Sequence, residues 1–335
     1  MAARSAMLVV GDINVDVLAR LGGELEAGGD NIASQSLELQ LGGVGANVAV
    51  TLAKWGVGAR LAGCVGRDAF GDFAQGALAR HGVDVRAVAR VDAPTGLFVV
   101  PVEPGGRRTV IGARGANESA PALSASECLA HVSAVHLVGY TLLSGATAAW
   151  LRGLVHVAGE RRIPVSLDVG HEPSRAARDA VLELARQVDT LLVAQDEAEA
   201  LTCESGEAAR AAIARCGAHV VILKQGAAGC QFTSDGRWWK IAPLEVNVVD
   251  TTGAGDAFAA GYWVARLRGW DTGDAVSLAN ACGAAAATVL GAGEAMPGPA
   301  GVMRVLERQE TGGPETSATA RLRRLLRTEA RPARA

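Results

Sequence analysis

The chain has 335 residues, with 32 Lys and Arg against 35 Asp and Glu, a net charge of −3 and 49% apolar residues. That length suits one large α/β domain or two medium ones with a sizeable core. The near balance of charge excludes the strong field that draws a protein to nucleic acid or a membrane.

Cysteines 64, 128, 203, 216, 230 and 282 are scattered, with no CxxC. Reduced thiols are the expectation. The histidines form neither HxxxH nor HExxH, which argues against a zinc site. The start lacks the apolar stretch of a signal peptide, and no run of 18 apolar residues occurs anywhere. The expected location is therefore the cytoplasm.

In chain order, Met7–Val10 reads as a β-prone run ending at Gly11-Asp12. Gly22-Gly23 and Gly28-Gly29 read as turns, and Ser36–Leu41 alternates like a half-exposed strand. Gly42–Gly56 reads as a helix with a small-residue face, Arg60–Val65 as a strand, and Phe70–Gly82 as a helix closed by glycine. Gly96–Glu103 and Arg107–Gly112 flank Pro104-Gly105-Gly106, a hairpin signal.

From there the pattern alternates. Strands are expected at 134–138, 165–168, 190–193, 219–223, near 230–233 and 238–241, and at Glu245–Asp250. Helices are expected at 146–161, 175–188, from Glu197, at 256–268 and at 274–290. Such alternation implies an α/β fold, a mostly parallel sheet with helices on both faces. The β-rich segments, about 13–40 and 94–114, do not fit it and are expected to form a small inserted sheet. Residues 309–335 are rich in Pro, Gly, Thr and Ala and basic, and read as a flexible tail with one short helix near 320–327.

The strongest chemical feature is Asp250-Thr251-Thr252-Gly253-Ala254-Gly255-Asp256-Ala257-Phe258, between an expected strand and helix. The glycines let backbone approach a ligand, and a helix start offers bare amides to an anion. A glycine turn with an Asp cap reads equally well from these residues alone. Phe258 stands where a GxGxxG motif needs its third glycine, and no lysine follows a glycine, so a P-loop is excluded.

As a block, these residues resemble the C-terminal signature of the ribokinase-like (phosphofructokinase-B type) carbohydrate kinases. Gly42-Gly43-Val44-Gly45-Ala46-Asn47, Gly63–Asp68 with Phe70-Gly71, Thr95-Gly96, Arg114-Gly115-Ala116-Asn117 and Gly139-Tyr140 resemble further motifs of that family, in order, over about residues 7 to 308. The resemblance implies one kinase domain over 1–308 with the inserted segments as a lid. It implies ATP and Mg2+, and in some members K+, as cofactors. The activity it implies is phosphorylation of a hydroxyl of a sugar or sugar derivative.

By the same resemblance Asp256 is the catalytic base and Gly253, Ala254 and Gly255 the anion hole. Asn14, Asp16, Gly43 and Asn47 hold substrate hydroxyls; by its position near the expected lid end Arg114 reads either as a contact to an anionic or hydroxylated substrate or as a surface ion pair. Lys224, Gly226, Asn280 and Ala284 line the adenine. Glu197 orders magnesium through water, and Asp250 and Thr252 match backbone positions of a monovalent-cation site seen in some members. Two residues depart from the pattern. Ala194 replaces the asparagine of an NxxE motif, and Val44 stands where ribokinase has a lysine. A nucleoside kinase of adenosine or pseudouridine type, and a weakly catalytic ligand-binding regulator, therefore remain as alternatives. The expected partners are the sugar or nucleoside and a second copy through the lid, with no nucleic acid and no membrane.

Overall fold

The structure is a computed structural model that describes residues 6–30, 33–104, 107–312 and 317–329. In strand β1 (Ala6–Val10), Met7 and Val9 join one core and Leu8 and Val10 another, all at most 2% exposed. A strand apolar on both faces must be covered on both. The chain continues through β2 (Asn14–Leu21), β3 (Ala33–Gly42), α1 (Val44–Lys54), β4 (Ala59–Gly66), α2 (Ala69–Arg80), β5 (Val88–Val91), β6 (Gly96–Val102) and β7 (Ile111–Ala113). Next come α3 (Ala125–Cys128), β8 (Val132–Val138), α4 (Gly145–Glu160), β9 (Val165–Asp168), α5 (His171–Ala176), α6 (Arg178–Ala185), β10 (Thr190–Ala194), α7 (Gln195–Thr202) and α8 (Gly206–Ile213). The last elements are β11 (Val220–Lys224), β12 (Cys230–Ser234), β13 (Arg237–Ile241), α9 (Ala254–Leu267), α10 (Thr272–Ala286), α11 (Pro299–Gly312) and α12 (Ser317–Glu329).

The large sheet has nine strands in the order β13-β12-β11-β10-β9-β8-β1-β4-β5, parallel except at β12 and β13. Helices α1, α2 and α9 to α12 cover one face, and α4, α6, α7 and α8 the other. The chain leaves β1 toward β4 and later returns to β8 on its other side. A crevice therefore opens at the carboxyl ends of the central strands.

A second sheet, β3-β2-β6-β7, is built from the two segments that break the alternation. β2 pairs antiparallel with β3 and parallel with β6, and β6 pairs antiparallel with β7 as the hairpin signal implies. The turn glycines Gly105 and Gly106 lie outside the described residues, as do residues 1–5, 31–32, 313–316 and 330–335.

Three expectations differ from the structure. Glu245–Asp250 is not a strand: no strand among the described residues pairs with it, and β-branched residues favour a strand only where a partner exists. Its end is instead tied to α10, with the Val249 amide donating to the Ala287 carbonyl at 2.8 Å. The helix expected at 175–188 is two, α5 and α6, interrupted at Ala177 (φ −127°). Within the segment read as a flexible tail, α12 is docked. Leu322 and Leu326 are buried in the core one turn apart, and Arg321 pairs with Asp274 at 2.6 Å. The averaged composition of the tail hid that apolar stripe.

Candidate functional site

The carboxyl ends of β1, β9, β10 and β11 converge on the first turn of α9. Gly253 caps that helix at φ +74°, where an L side chain is strained, and a Cβ there would sit 2.8 Å from Met296 Sδ. The Ala254 amide donates to the Thr251 carbonyl at 3.2 Å. Among the described residues no acceptor meets the amides of Gly253, Gly255 or Asp256. Bare amides at a helix start are an anion site, here with Asp256 in place of the engaged Ala254.

Asp256 lies in that turn, 9% exposed. Its Oδ2 accepts from Asn47 Nδ2 at 2.6 Å, and Asn47 Oδ1 accepts the Gly293 amide at 2.9 Å. Asn47 thus holds the carboxylate from buried α1. Burial pushes Asp256 up to about 7. The Asn47 bond and Lys224 oppose that rise, and the Asp168 charge adds to it.

Lys224 ends β11, and its Nζ donates to Asp168 Oδ1 at 2.6 Å. A Cβ on Gly255 would lie 3.7 Å from that ammonium, so the lysine reaches the amide cluster. Burial opposes its charge, but Asp168, Glu197 and Asp256 outweigh burial and hold the ammonium well above its usual range. The side chain expected against adenine is thus also the cation of the cluster.

Gly226 begins the turn after β11 at φ +54°. Asn280 on α10 donates to the Ala242 carbonyl at 3.0 Å, and Ala284 lies one turn on in the same helix. Gly226 lines a pocket beside α7 together with Lys224, a pocket that Asn280 and Ala284 do not line.

Glu197 is buried in α7, and its Oε2 accepts the Ala194 amide at 2.7 Å, closing the turn that Ala194 has no side chain to cap. Burial first, then the nearby Asp168 charge, raise its carboxyl, and Lys224 opposes them. Its Oε1 has no partner among the described residues. One such oxygen suits Mg2+, which keeps most of its waters and is held largely through phosphates. A monovalent ion at Asp250 and Thr252 would be left with their backbone carbonyls, which accept no hydrogen bond among the described residues, because the Asp250 carboxylate is engaged within the turn. Asp250 Oδ1 already accepts from the Thr252 amide at 2.9 Å and hydroxyl at 2.7 Å, and Oδ2 accepts from the Gly291 amide at 2.9 Å.

On the other side of the crevice, β2 places Asn14 and Asp16 on one face, paired across to Gly42 and Gln40. Asn14 Oδ1 accepts from Asn117 Nδ2 at 2.7 Å. Asp16 has no hydrogen-bond partner among the described residues, and burial raises it to about 6. Gly43 (φ +94°) lets the chain turn against the Asp12 carbonyl, which a Cβ would meet at 2.5 Å. Arg114 is held by Asp12 at 2.8 Å and by the Tyr140 carbonyl at 2.9 Å, and its Nε is buried without an acceptor.

The sequence reading missed Asp12 and Asp168. Both stand at the carboxyl ends of parallel strands, and that position alone could have marked them.

The model of the pfkB family of carbohydrate kinases matches residues 5–299. The ATP-dependent ribose-1-phosphate kinase of Halopiger xanaduensis is 32% identical over 287 residues, covering 83% of this chain and 90% of that protein. The structure of Arabidopsis thaliana ribokinase complexed with ribose and ATP superposes with a TM-score of 0.76 at 26% identity, covering 90% of this chain and 99% of that one. A protein described as a ribokinase II from E. coli, in complex with ATP and Mg2+, superposes at 0.78 with 26% identity, over 91% and 99% of the two chains. With the nine-stranded sheet, the lid and the glycine-capped helix start in place, the chain belongs to the pfkB family of carbohydrate kinases, phosphotransferases whose acceptor is an alcohol.

Proposed function

We propose that this chain transfers the terminal phosphoryl group of ATP to a hydroxyl of a small sugar or sugar derivative, with Asp256 as general base. The observation that carries this reading is a buried carboxylate, raised to about 7, beside three amides without acceptors at the start of α9. The acceptor hydroxyl lies between Asp256 and the polar face of β2. Asp256 takes its proton as the oxygen attacks phosphorus, and the amides of Gly253, Gly255 and Asp256 stabilise the charge on the transferring group. Lys224 adds positive charge below them. Glu197 would hold Mg2+ through water, and the ion would supply charge neutralisation there. Asn14 and Asp16 orient the sugar, and Gly226, Asn280 and Ala284 receive the adenine.

The Arg114 guanidinium, 18% exposed and held by Asp12, extends the reading to substrates that carry an added acceptor, a phosphate included. The likeness to a ribose-1-phosphate kinase points the same way. ADP release is to be measured over ribose, ribose 1-phosphate, fructose and a set of nucleosides. A sugar or sugar phosphate is expected to give the highest kcat/KM. Turnover confined to nucleosides would move the reading to a nucleoside kinase, and ATP binding without turnover on any of them would make the chain a regulator.

The lid also supports pairing with a second copy. Leu39, Val17, Val99 and Ile111 lie in one row across β3, β2, β6 and β7, on the face opposite Asp16. Leu39, Val99 and Ile111 are 48%, 37% and 61% exposed. An exposed apolar row on a small sheet marks an interface. Sedimentation is expected to show a dimer that Leu39→Glu converts to monomer; a wild-type monomer at the same concentration would end this part of the proposal.

A further inference from the structure

One contact joins the lid to the anion site. Arg108, in the β6–β7 connection where it bridges Val102, pairs through Nη1 with Asp250 Oδ1 at 2.7 Å. The same nitrogen donates to Thr252 Oγ1. The Asp250 side chain is 4% exposed and that of Arg108 29%. With Arg108 in place, Oδ1 accepts three donors, and Oδ2 accepts the Gly291 amide. Asp250 and Thr252 lie within the three residues before Gly253, whose left-handed turn begins α9. A cation carried on the lid therefore sits against the turn that aims the phosphate-facing amides.

We propose that Arg108 is a positioning residue, a tethered cation brought by the closed lid to the Asp250–Thr252 turn in the place where a bound monovalent ion would otherwise act. Its guanidinium neutralises a carboxylate that burial would destabilise and fixes the turn through two contacts. Because the arginine belongs to the lid, the anion site is fully ordered only when the lid covers the acceptor, and before closure water meets an incomplete site. This inference rests on the kinase reading for its catalytic consequence, but not for the ion exchange it predicts.

The test compares wild type, Arg108→Ala and Arg108→Lys in choline chloride and in potassium chloride at matched ionic strength, by turnover and by thermal unfolding. In choline the alanine variant is expected to lose on the order of 10²-fold in kcat, the size of a small misplacement of reacting groups, with the ATP KM less affected. Wild type is expected to respond equally to both salts. Potassium is expected to restore part of the kcat of Arg108→Ala and to raise its Tm, and the lysine variant is expected to lie between. A wild type activated by potassium, or an alanine variant whose kcat and Tm are the same in the two salts, overturns the proposal. The Tm comparison needs no substrate. Potassium-dependent stability in Arg108→Ala without turnover in any form would leave this inference standing and sink the kinase reading.

Discussion

Asp256→Asn is expected to lower kcat by about 10³-fold while raising thermal stability. Both effects come from one cause. Asp256 is only 9% exposed, and burial raises its carboxyl to about 7. A carboxyl whose folded pKa lies above its unfolded value of 3.8 holds its proton more tightly in the folded state. Its contribution to stability is full below about pH 4 and falls as pH rises toward 7, where the charge must be carried inside. At pH 8 the neutral amide avoids that charge and is worth roughly 2–4 kcal/mol at most. It can still accept the Asn47 hydrogen bond, so the turn keeps its geometry. Wild-type kcat/KM is expected to rise with pH through about 7 as the base loses its proton, a limb that the variant lacks. Calorimetry at pH 5 and pH 8 with a pH–rate profile checks both halves. A variant with normal turnover would remove Asp256 from the chemistry.

Lys224→Met is expected to be the most damaging single change in the buried cluster. It removes the cation from Asp168, at 2.6 Å, and leaves Asp168, Glu197 and Asp256 together without compensation. Breaking one side of a buried pair costs about 3–5 kcal/mol. The loss is expected to shrink toward lower pH, where Glu197 and Asp256, both raised by burial, take up protons. Lys224 also opposes the rise of Asp256, so the residual activity of the variant should show its acid limb displaced above that of wild type. Denaturant unfolding at two pH values and the pH–rate profile separate this from simple loss of packing. An unchanged limb would place Lys224 outside the electrostatics of the base.

Both variants also test the tertiary route by which the site is assembled. Asn47 and Asp256 are 209 residues apart, and Arg108 and Thr252 144. No local pattern encodes such pairs. What local pattern could carry was the glycine turn before α9, and it did so because a left-handed φ and a close Met296 leave little besides glycine at position 253. Asn14 and Asp16 were legible for a similar reason, since a period of two puts them on one face of β2. Lys224 was visible as a rare lysine after an apolar strand, yet nothing in its neighbourhood tells whether the ammonium turns toward adenine or toward Asp168.

By itself the sequence determined the alternation of strands and helices, the two segments that leave it to form the lid, and the glycine-lined helix start with its carboxylate. Each of these follows from spacing and from conformations that few residue types tolerate. Tertiary structure decided that Glu245–Asp250 would stay out of the sheet for want of a partner, and that α12 would dock through Leu322 and Leu326. It also decided that Arg108 would reach Asp250 from the lid and that one lysine would neutralise a group of carboxylates. Those outcomes depend on which distant surfaces meet, and burial and charge pairing settle that only once the chain is folded.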